Sequence, residues 1–449
     1  MKKTILFSII LLLFVSHHAE AVDWRYTLFS NIRYSDNLSQ TLDEIEGYAL
    51  NAGITFSLND ESGTEFSYTT SGLLGATTFS EEIIDNQYIR GFNGNFLYHP
   101  KNTNFTLLAV ENIAQVPQDR FVTQEINNIR DVEVTAIKPS YFLKLTGADQ
   151  LNFDYSIVIV DASDSNATIN AQDGSRQLNE YSFSYEHQIS AINSLSIIGR
   201  KSDTDYDDPF DLVNLTGVDY EQEDVFARWI INGQSNLLRF DAGVSTVKTK
   251  LDRTIEVDLI QLLYRRQLNR TQALSLTFRK GFDSIFNFEL GTNNINVNNR
   301  SGDFGNTLNL KEHRVDYEIN EDFFTGRLSY FNVDLDTALS PNSEIRKGAD
   351  LRLTYRLSRV LGMPFDTNIT FSYFNSRNEF DSTLTQVTKN EVESYNLFLN
   401  YFISQDTFLF LQLQQRNSDS FILDTPSASI DSKTLFVGIS YSPNGRIEN

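Results

Sequence analysis

The chain reads as all-β: a single transmembrane antiparallel up-and-down β-barrel of about twenty strands, with short periplasmic turns and long extracellular loops. Three observations predict it. Polar and apolar residues alternate along segments of about ten to fourteen residues, long enough to cross a bilayer at a tilt. The connections between segments are short and long by turns. The composition, 34 Phe and 20 Tyr against 8 Pro and 2 Met, suits pleated strands and aromatic girdles better than packed helices.

The alternation is clearest where charge marks one face. Ala349, Leu351, Leu353, Tyr355 and Leu357 are apolar, while Asp350, Arg352, Thr354 and Arg356 between them are polar. Tyr181, Phe183 and Tyr185 alternate with Glu180, Ser182, Ser184 and Glu186, and Leu238, Phe240, Ala242 and Val244 with Arg239, Asp241, Gly243 and Ser245. On a helix these charges would spread around the cylinder. On a strand they share one face, which requires water on one side and lipid on the other.

Short turns are expected at Asn59 to Ser62, His99 to Asn102, Gly147 to Gln150, Ser190 to Asn193, Asn232 to Ser235, Leu268 to Thr271, Asn320 to Asp322, Leu361 to Phe365 and Ser404 to Asp406, each built from turn-forming residues. Longer polar stretches separate them, among them Asp161 to Arg176, Ser202 to Val218, Ile285 to Asn306 and Asp419 to Ser432. Thr249 to Arg253 is the exception, a short connection on the long side. Seven prolines, Pro426 among them, fall in connections or after the last strand, and Pro139 alone sits inside a strand, where a bulge or a strand boundary is expected.

Residues 1–21 read as a cleaved signal peptide: Lys2 and Lys3, an apolar run from Ile5 to Val15, then Ala19-Glu20-Ala21. The run is about eleven residues, short of the roughly twenty a spanning helix needs. The barrel should occupy 22–443, its first strand starting near Trp24, and 444–449 should form a short periplasmic tail. That start leaves no room for a globular N-terminal plug. A repeat of about forty residues also suits a propeller, but no blade signature accompanies it.

A formal charge of −22 repels nucleic acid and suits an exported protein with acidic loops. Cysteine is absent, which removes disulfides and thiolate chemistry. The expected location is the outer membrane, with outer-membrane lipid and lipopolysaccharide as partners and no cofactor. Asp203, Asp205, Asp207, Asp208 and Asp211 offer oxygen ligands of the kind Ca²⁺ takes, but lack the glycine and glutamate of a helix-loop-helix calcium loop. A solvated loop facing lipopolysaccharide is the plainer reading, and no metal site is assigned.

The candidate lumen-lining residues are Asp224, Arg228, Arg239, Asp241, Arg314, Asp316, Glu318, Arg327, Asp350, Arg352 and Arg356, with Arg279 less firmly placed. Opposite signs on neighbouring strands predict either mutual pairing or a mixed-charge pore wall for hydrated polar solutes. Trp24, Tyr98, Tyr141, Trp229, Tyr355, Tyr401 and Tyr441 lie near strand ends, as membrane-interface anchors do. Phe226, Phe398, Phe408 and Phe410 could stack on sugar rings if they face inward, although packing within the lumen is the plainer role.

An enzyme is not expected. Beyond the leader the histidines are His99, His187 and His313, falling on a turn, a strand's periplasmic end and a strand's outer half, and no phosphate-cradling or metal-binding spacing appears.

The last segment, Leu435, Val437, Ile439 and Tyr441 alternating with Phe436, Gly438 and Ser440, has the aromatic-ended form that barrel-assembly machinery recognises, although Ser442 to Asn449 follow it. Tyr34-Ser35-Asp36-Asn37-Leu38 after the first strand and Gln415-Arg416-Asn417-Ser418-Asp419-Ser420 before the last resemble motifs of the outer-membrane barrel proteins associated with exopolysaccharide and PEP-CTERM sorting gene clusters. The resemblance implies a conduit or accessory for polysaccharide export or surface assembly, and transfers no site residue. A general solute-diffusion porin and a non-conducting structural or adhesive barrel are the alternatives.

Overall fold

The computed structural model describes residues 23–38, 44–60, 65–81, 86–117, 129–162, 175–206, 219–250, 254–283, 308–337, 343–362, 366–381, 389–422 and 425–443. In chain order the strands are β1 (Asp23–Ser35), β2 (Gly47–Asp60), β3 (Phe66–Phe79), β4 (Gln87–Tyr98), β5 (Phe105–Pro117), β6 (Ile129–Lys144), β7 (Asp149–Ala162), β8 (Arg176–Ser190), β9 (Asn193–Tyr206) and β10 (Tyr220–Asn232). They continue with β11 (Asn236–Thr249), β12 (Thr254–Gln267), β13 (Gln272–Asp283), β14 (Leu308–Asn320), β15 (Phe324–Thr337), β16 (Ser343–Arg356), β17 (Thr367–Asp381), β18 (Lys389–Phe402), β19 (Thr407–Ile422) and β20 (Thr425–Tyr441).

Each strand pairs antiparallel with the next, and β20 returns to β1, with Leu28 opposite Tyr441 and Ser35 opposite Thr434. Closure leaves no edge strand. In hydrocarbon that is obligatory, because an unpaired N–H or C=O there has no water to bind.

The two faces follow from the registers. On β1, Trp24, Leu28 and Ile32 point outward and are 58 %, 46 % and 55 % exposed, while Asn31 and Arg33 point inward. The outward row runs into Leu435, Val437 and Ile439 of β20 and on to Leu409, Leu411 and Leu413 of β19. Those rows end in outward charges such as Arg90, Lys201, Glu223, Asp258, Lys280 and Lys433, each about eight residues above its strand's short-turn end. That interval matches an apolar band of about 25 Å. At the short-turn end many of the outward positions are aromatic, Trp24, Tyr98 and Tyr441 among them.

The tight turns hold themselves by local hydrogen bonds. Gly233 N–H donates to Asn236 O at 2.8 Å, and Ser404 Oγ accepts from the N–H groups of Asp406 and Thr407. The β16–β17 connection contains the one helix among the described residues, α1 (Leu357–Leu361), closed by Gly362 at φ 65°, a conformation that favours glycine. Leu357 therefore opens α1 and does not extend β16.

Three features depart from expectation. Asp419 to Ser432 is not a long loop: β19 runs to Ile422 and β20 starts at Thr425, forming one long hairpin with a register shift at Ser420/Phe421. Pro426 accordingly lies in β20, opposite Phe421 at that shift. The Asp, Ser, Thr and Pro of this stretch suggest a loop, but a strand projecting beyond the apolar band needs no apolar face. For the same reason β9 continues to Tyr206 and carries Asp203 and Asp205. Pro139 lies within β6 with the register conserved across it; the partners Lys138 and Pro139 are merely missing from the β7 ladder, between Ile137 opposite Ile157 and Ser140 opposite Asp154. A missing N–H interrupts one side of a strand without requiring a bulge.

Inside, the buried apolar residues concentrate in the middle and outer parts of the strands. Val110, Val132, Val134, Val158, Val160 and Leu178 form one inward cluster, with Val158 and Val160 at 0 % and 1 % exposure, and Leu310, Val333 and Leu335 form another. A bare, water-filled cylinder would leave these side chains wet. Their burial means that the inner wall is covered there.

Candidate functional site: a two-sided lumen wall

Parity along each strand places Asp224, Arg228, Arg239, Asp241, Arg314, Asp316, Glu318, Arg327, Asp350, Arg352 and Arg356 on the inward face, together with Arg279. They fall into linked groups. Asp224 is 1 % exposed and accepts from Arg200 Nε at 2.8 Å and Gln222 Nε2 at 3.0 Å. Asp241, equally buried, takes Arg228 Nε at 2.9 Å on one oxygen, and Arg228 and Arg239 Nη2 at 3.0 Å on the other. Asp316 gathers Arg314 at 3.0 Å, Arg327 at 3.0 Å and the Ser329 hydroxyl at 2.5 Å.

The remaining members sit around these groups. Glu318 meets Arg265 at 3.2 Å, and Arg279 approaches Glu312 at 3.9 Å. Asp350 faces Ser329 across the β15–β16 ladder, and Arg352 faces Arg327. Arg356, at the short-turn end, donates to the Asp322 carbonyl at 3.2 Å. Asp241 and Asp316, each held by two guanidinium groups on a part-buried wall, are stabilised by charge-assisted hydrogen bonds, and each group carries one cation more than its carboxylate balances.

These groups all belong to β6 through β16. The other side of the ring, β17 to β20 and β1 to β5, is lined differently. Among the described residues its inward strand positions carry no charge except Asp23 and Arg25, paired at the rim, and Arg33 and Arg416. Amides, hydroxyls and phenyl rings fill the rest. A cavity of about 640 Å³ opens against this wall near the short-turn end, with Thr55, Ser57, Thr69, Ser71, Asn93 and Asn112 among its lining.

β19 gives the order of this wall along the pore. From the short-turn end outward its inward residues are Phe408, Phe410, Gln412, Gln414 and Arg416. Phe402 of β18 lies 5.3 Å from Phe408 between ring centroids, and Phe398 lies 5.9 Å from Phe410. The rings thus form a step of four on adjacent strands, each partly exposed. Gly438 of β20 makes room for them: a Cβ there would strike the Phe410 ring and come within 2.6 Å of Asn31 Cβ. Beside the rings, the buried amide oxygens of Asn368, Asn396 and Asn400 have no hydrogen-bond partner among the described residues. Phe226 faces inward too, but on the charged side, 7 % exposed and packed with Ile198 and Leu259.

Trp24, Tyr98, Tyr141, Trp229, Tyr355, Tyr401 and Tyr441 all point outward near the short-turn ends of their strands, as one girdle. Trp229 anchors its indole N–H on Asn193 Oδ1 at 2.7 Å. Of the acidic stretch, Asp203 and Asp205 face outward on β9, and Asp205 accepts from Lys250 at 3.1 Å; Asp207, Asp208 and Asp211 lie outside the described residues. Among the described residues no group of His, Cys, Asp or Glu could hold a metal ion. His99 contacts the Phe105 carbonyl, His187 contacts Asp149, and His313 stacks near Phe278.

The division of the wall escapes a reading of single strands, because alternation says which residues face inward but not which strands share a sector. One signal for it exists in the sequence: inward positions of the first five and last four strands are nearly free of charge.

No family model and no curated protein matches this chain. Solved outer-membrane barrels resemble it. An FrpB iron transporter from Neisseria meningitidis aligns over 94 % of this chain and 82 % of its own, at 11 % identity and a TM-score of 0.47. OpdQ from Pseudomonas aeruginosa aligns over 94 % and 99 %, at 12 % identity and a TM-score of 0.44. Likeness at this level does not carry function. The closed ring, its lipid-facing band and its girdle stand on the chain's own geometry. The protein is an outer-membrane β-barrel. Linked arginine and carboxylate groups line one side of its interior, and an aromatic girdle rings its outside.

Proposed function

We propose that this barrel is a channel for saccharide-class solutes, with the neutral wall of β17 to β20 and β1 to β5 as its track. The supporting observation is the step of Phe402, Phe408, Phe410 and Phe398, each partly exposed, on a wall otherwise made of amides and hydroxyls. A sugar ring presents apolar C–H faces and a rim of hydroxyls. Phenyl faces take the first, and Asn and Gln side chains take the second. A conduit for envelope polysaccharide is the form of this reading that the motif resemblance supports.

General diffusion of small polar solutes is the second reading, favoured by the paired charges of β6 to β16, which would hold a transverse field across a wet pore. Planar-bilayer recording separates the two. A saccharide channel gives a steady current that neutral maltooligosaccharides block in a concentration-dependent way. A current indifferent to them leaves the diffusion reading, and no current in any condition removes both.

A further inference from the structure

The phenyl step ends at Phe408, but the ladder row through Phe408 carries a further ring. Phe408 faces Ser440 of β20, Ser440 faces Phe29 of β1, Phe29 faces Gly53 of β2, and Gly53 faces Gly75 of β3, all on the inward side. The Phe29 ring leans along this row across β2. A Cβ at Gly53 would lie 2.7 Å from Phe29 Cζ, and one at Gly75 3.6 Å from it. Two glycines in register thus make room for the ring, which stays partly exposed.

On the short-turn side of that ring lies the cavity of about 640 Å³. Thr55 and Leu73, the next inward residues after Gly53 and Gly75, begin its lining, and Ser57, Ser71, Asn93 and Asn112 form the row beneath. The side chains of Thr55, Ser57, Ser71 and Asn112 make no hydrogen bond among the described residues. The charges in the lining, Asp23 and Arg25, pair with each other. Gly91 continues the row of Thr55 and Leu73 and opens onto the space, since a Cβ there would meet nothing nearer than 3.7 Å.

A ring beside uncommitted hydroxyls and an amide repeats the chemistry of the phenyl step. From Phe408 on β19 to Ser71 on β3 is four strand spacings, about 19 Å. One sugar ring is too short for that interval, and a chain of several covers it.

We propose that this cavity is a second saccharide subsite, so that the barrel binds linear neutral oligosaccharides laid across β19, β20, β1 and β2, with one end on the phenyl step and the other beside Phe29. This rests on the saccharide-channel reading and sets the length and charge of the ligand. The inner sugar unit stacks on Phe29 and exchanges hydrogen bonds with Ser57, Ser71 and Asn112. Ser440 lets the chain pass between the rings, because its hydroxyl is turned to the Leu28 carbonyl at 3.3 Å.

Isothermal titration of the detergent-solubilised barrel with maltose, maltotriose and maltohexaose tests this without requiring conduction. Maltohexaose should bind about tenfold more tightly than maltose, because its second contact is intramolecular once the first is made. Gly91→Leu fills the cavity from a position with space for a side chain, and Phe29→Ala removes the ring. Each should bring maltohexaose to the affinity of maltose and leave maltose unchanged. Lys201→Gln, altering an outward cation, should leave the length preference intact. Unchanged gel mobility before heating verifies that each variant is folded. Equal affinity for maltose and maltohexaose in the unaltered barrel overturns the second subsite and spares the phenyl step. A length preference that survives both Gly91→Leu and Phe29→Ala arises from repeated registers on the phenyl step and overturns the second subsite as well. No binding of any of the three sugars overturns the subsite and the saccharide reading together.

Discussion

Asp36 and Lys433, from opposite ends of the chain, clasp each other through the backbone: Asp36 Oδ1 accepts the Lys433 N–H at 2.7 Å, and the Asp36 N–H donates to the Lys433 carbonyl at 3.3 Å. They extend the β1–β20 seam just past its last ladder pair, Ser35 opposite Thr434. Ser35 adds its hydroxyl to those of Thr434 at 3.1 Å and Ser432 at 3.4 Å. The two motifs quoted for their family resemblance thus meet at one place, for Gln415 and Arg416 pair with Lys433 and Ser432 from the other side of β20. Asp36→Ala should lower the unfolding free energy by about 1 kcal/mol. Urea titration in detergent measures the loss, and faster amide exchange confined to β1 and β20 would locate it.

Gly438 and Phe410 make a second pair whose fit can be tested. A side chain at 438 would occupy the space of the phenyl ring. Gly438→Val should leave a heat-modifiable barrel while pushing Phe410 aside, weakening maltooligosaccharide block by about tenfold, the equivalent of one lost aromatic contact. Phe398→Ala should weaken block by a similar factor without straining β20. Undiminished block in both variants would count against the phenyl step.

Asp241 neutralises Arg228 and Arg239 together. Asp241→Asn should deprive both guanidinium groups of the carboxylate they share on a part-buried wall, lowering stability by about 2 kcal/mol after allowance for the arginines' access to water. The reversal potential in a salt gradient should move toward anion preference. Arg228→Gln in the same background should recover part of the stability.

The buried inward valines offer a test of the covered lumen. Val158→Ala removes apolar volume where no water reaches, so it should cost about 1.5–3 kcal/mol. Val225→Ala, on the lipid side and 64 % exposed, should alter urea stability far less in detergent. Comparable losses for both would mean that the lumen side of β7 is as open as the outside.

Lys250, in the outer connection between β11 and β12, donates to Asp219 at 2.6 Å and Asp205 at 3.1 Å. The hydrogen bond to Asp219, then that to Asp205, favours the ammonium form and raises its pKa above the ordinary lysine value. A raised folded-state pKa contributes stability that is fully present below the unfolded value and lost as pH climbs through the folded one. Protection of this hairpin from protease should therefore persist through neutral and mildly alkaline pH and fade only beyond lysine's usual titration. Lys250→Gln should abolish that alkaline step.

Some of this protein was decided by the sequence alone. Alternation places Arg239 and Asp241 inward and Phe240 outward whatever their neighbours are, because successive side chains of a strand point to opposite faces. Connection lengths place the termini on the same side, and strand-end aromatics mark the girdle. Where alternation stops, so does its power: Asp419 and Ser420 look like the start of a loop, yet they extend β19, since a strand standing clear of lipid carries no apolar mark. Only the closed ring decided the rest. It brings Asp36 to Lys433 across the whole length of the chain, sets Arg33 and Arg416 either side of β20, and sorts the inward residues into a charged sector and a neutral one. These are relations between strands. Sequence periodicity describes one strand at a time, and the pairing of the last strand with the first is fixed by tertiary closure.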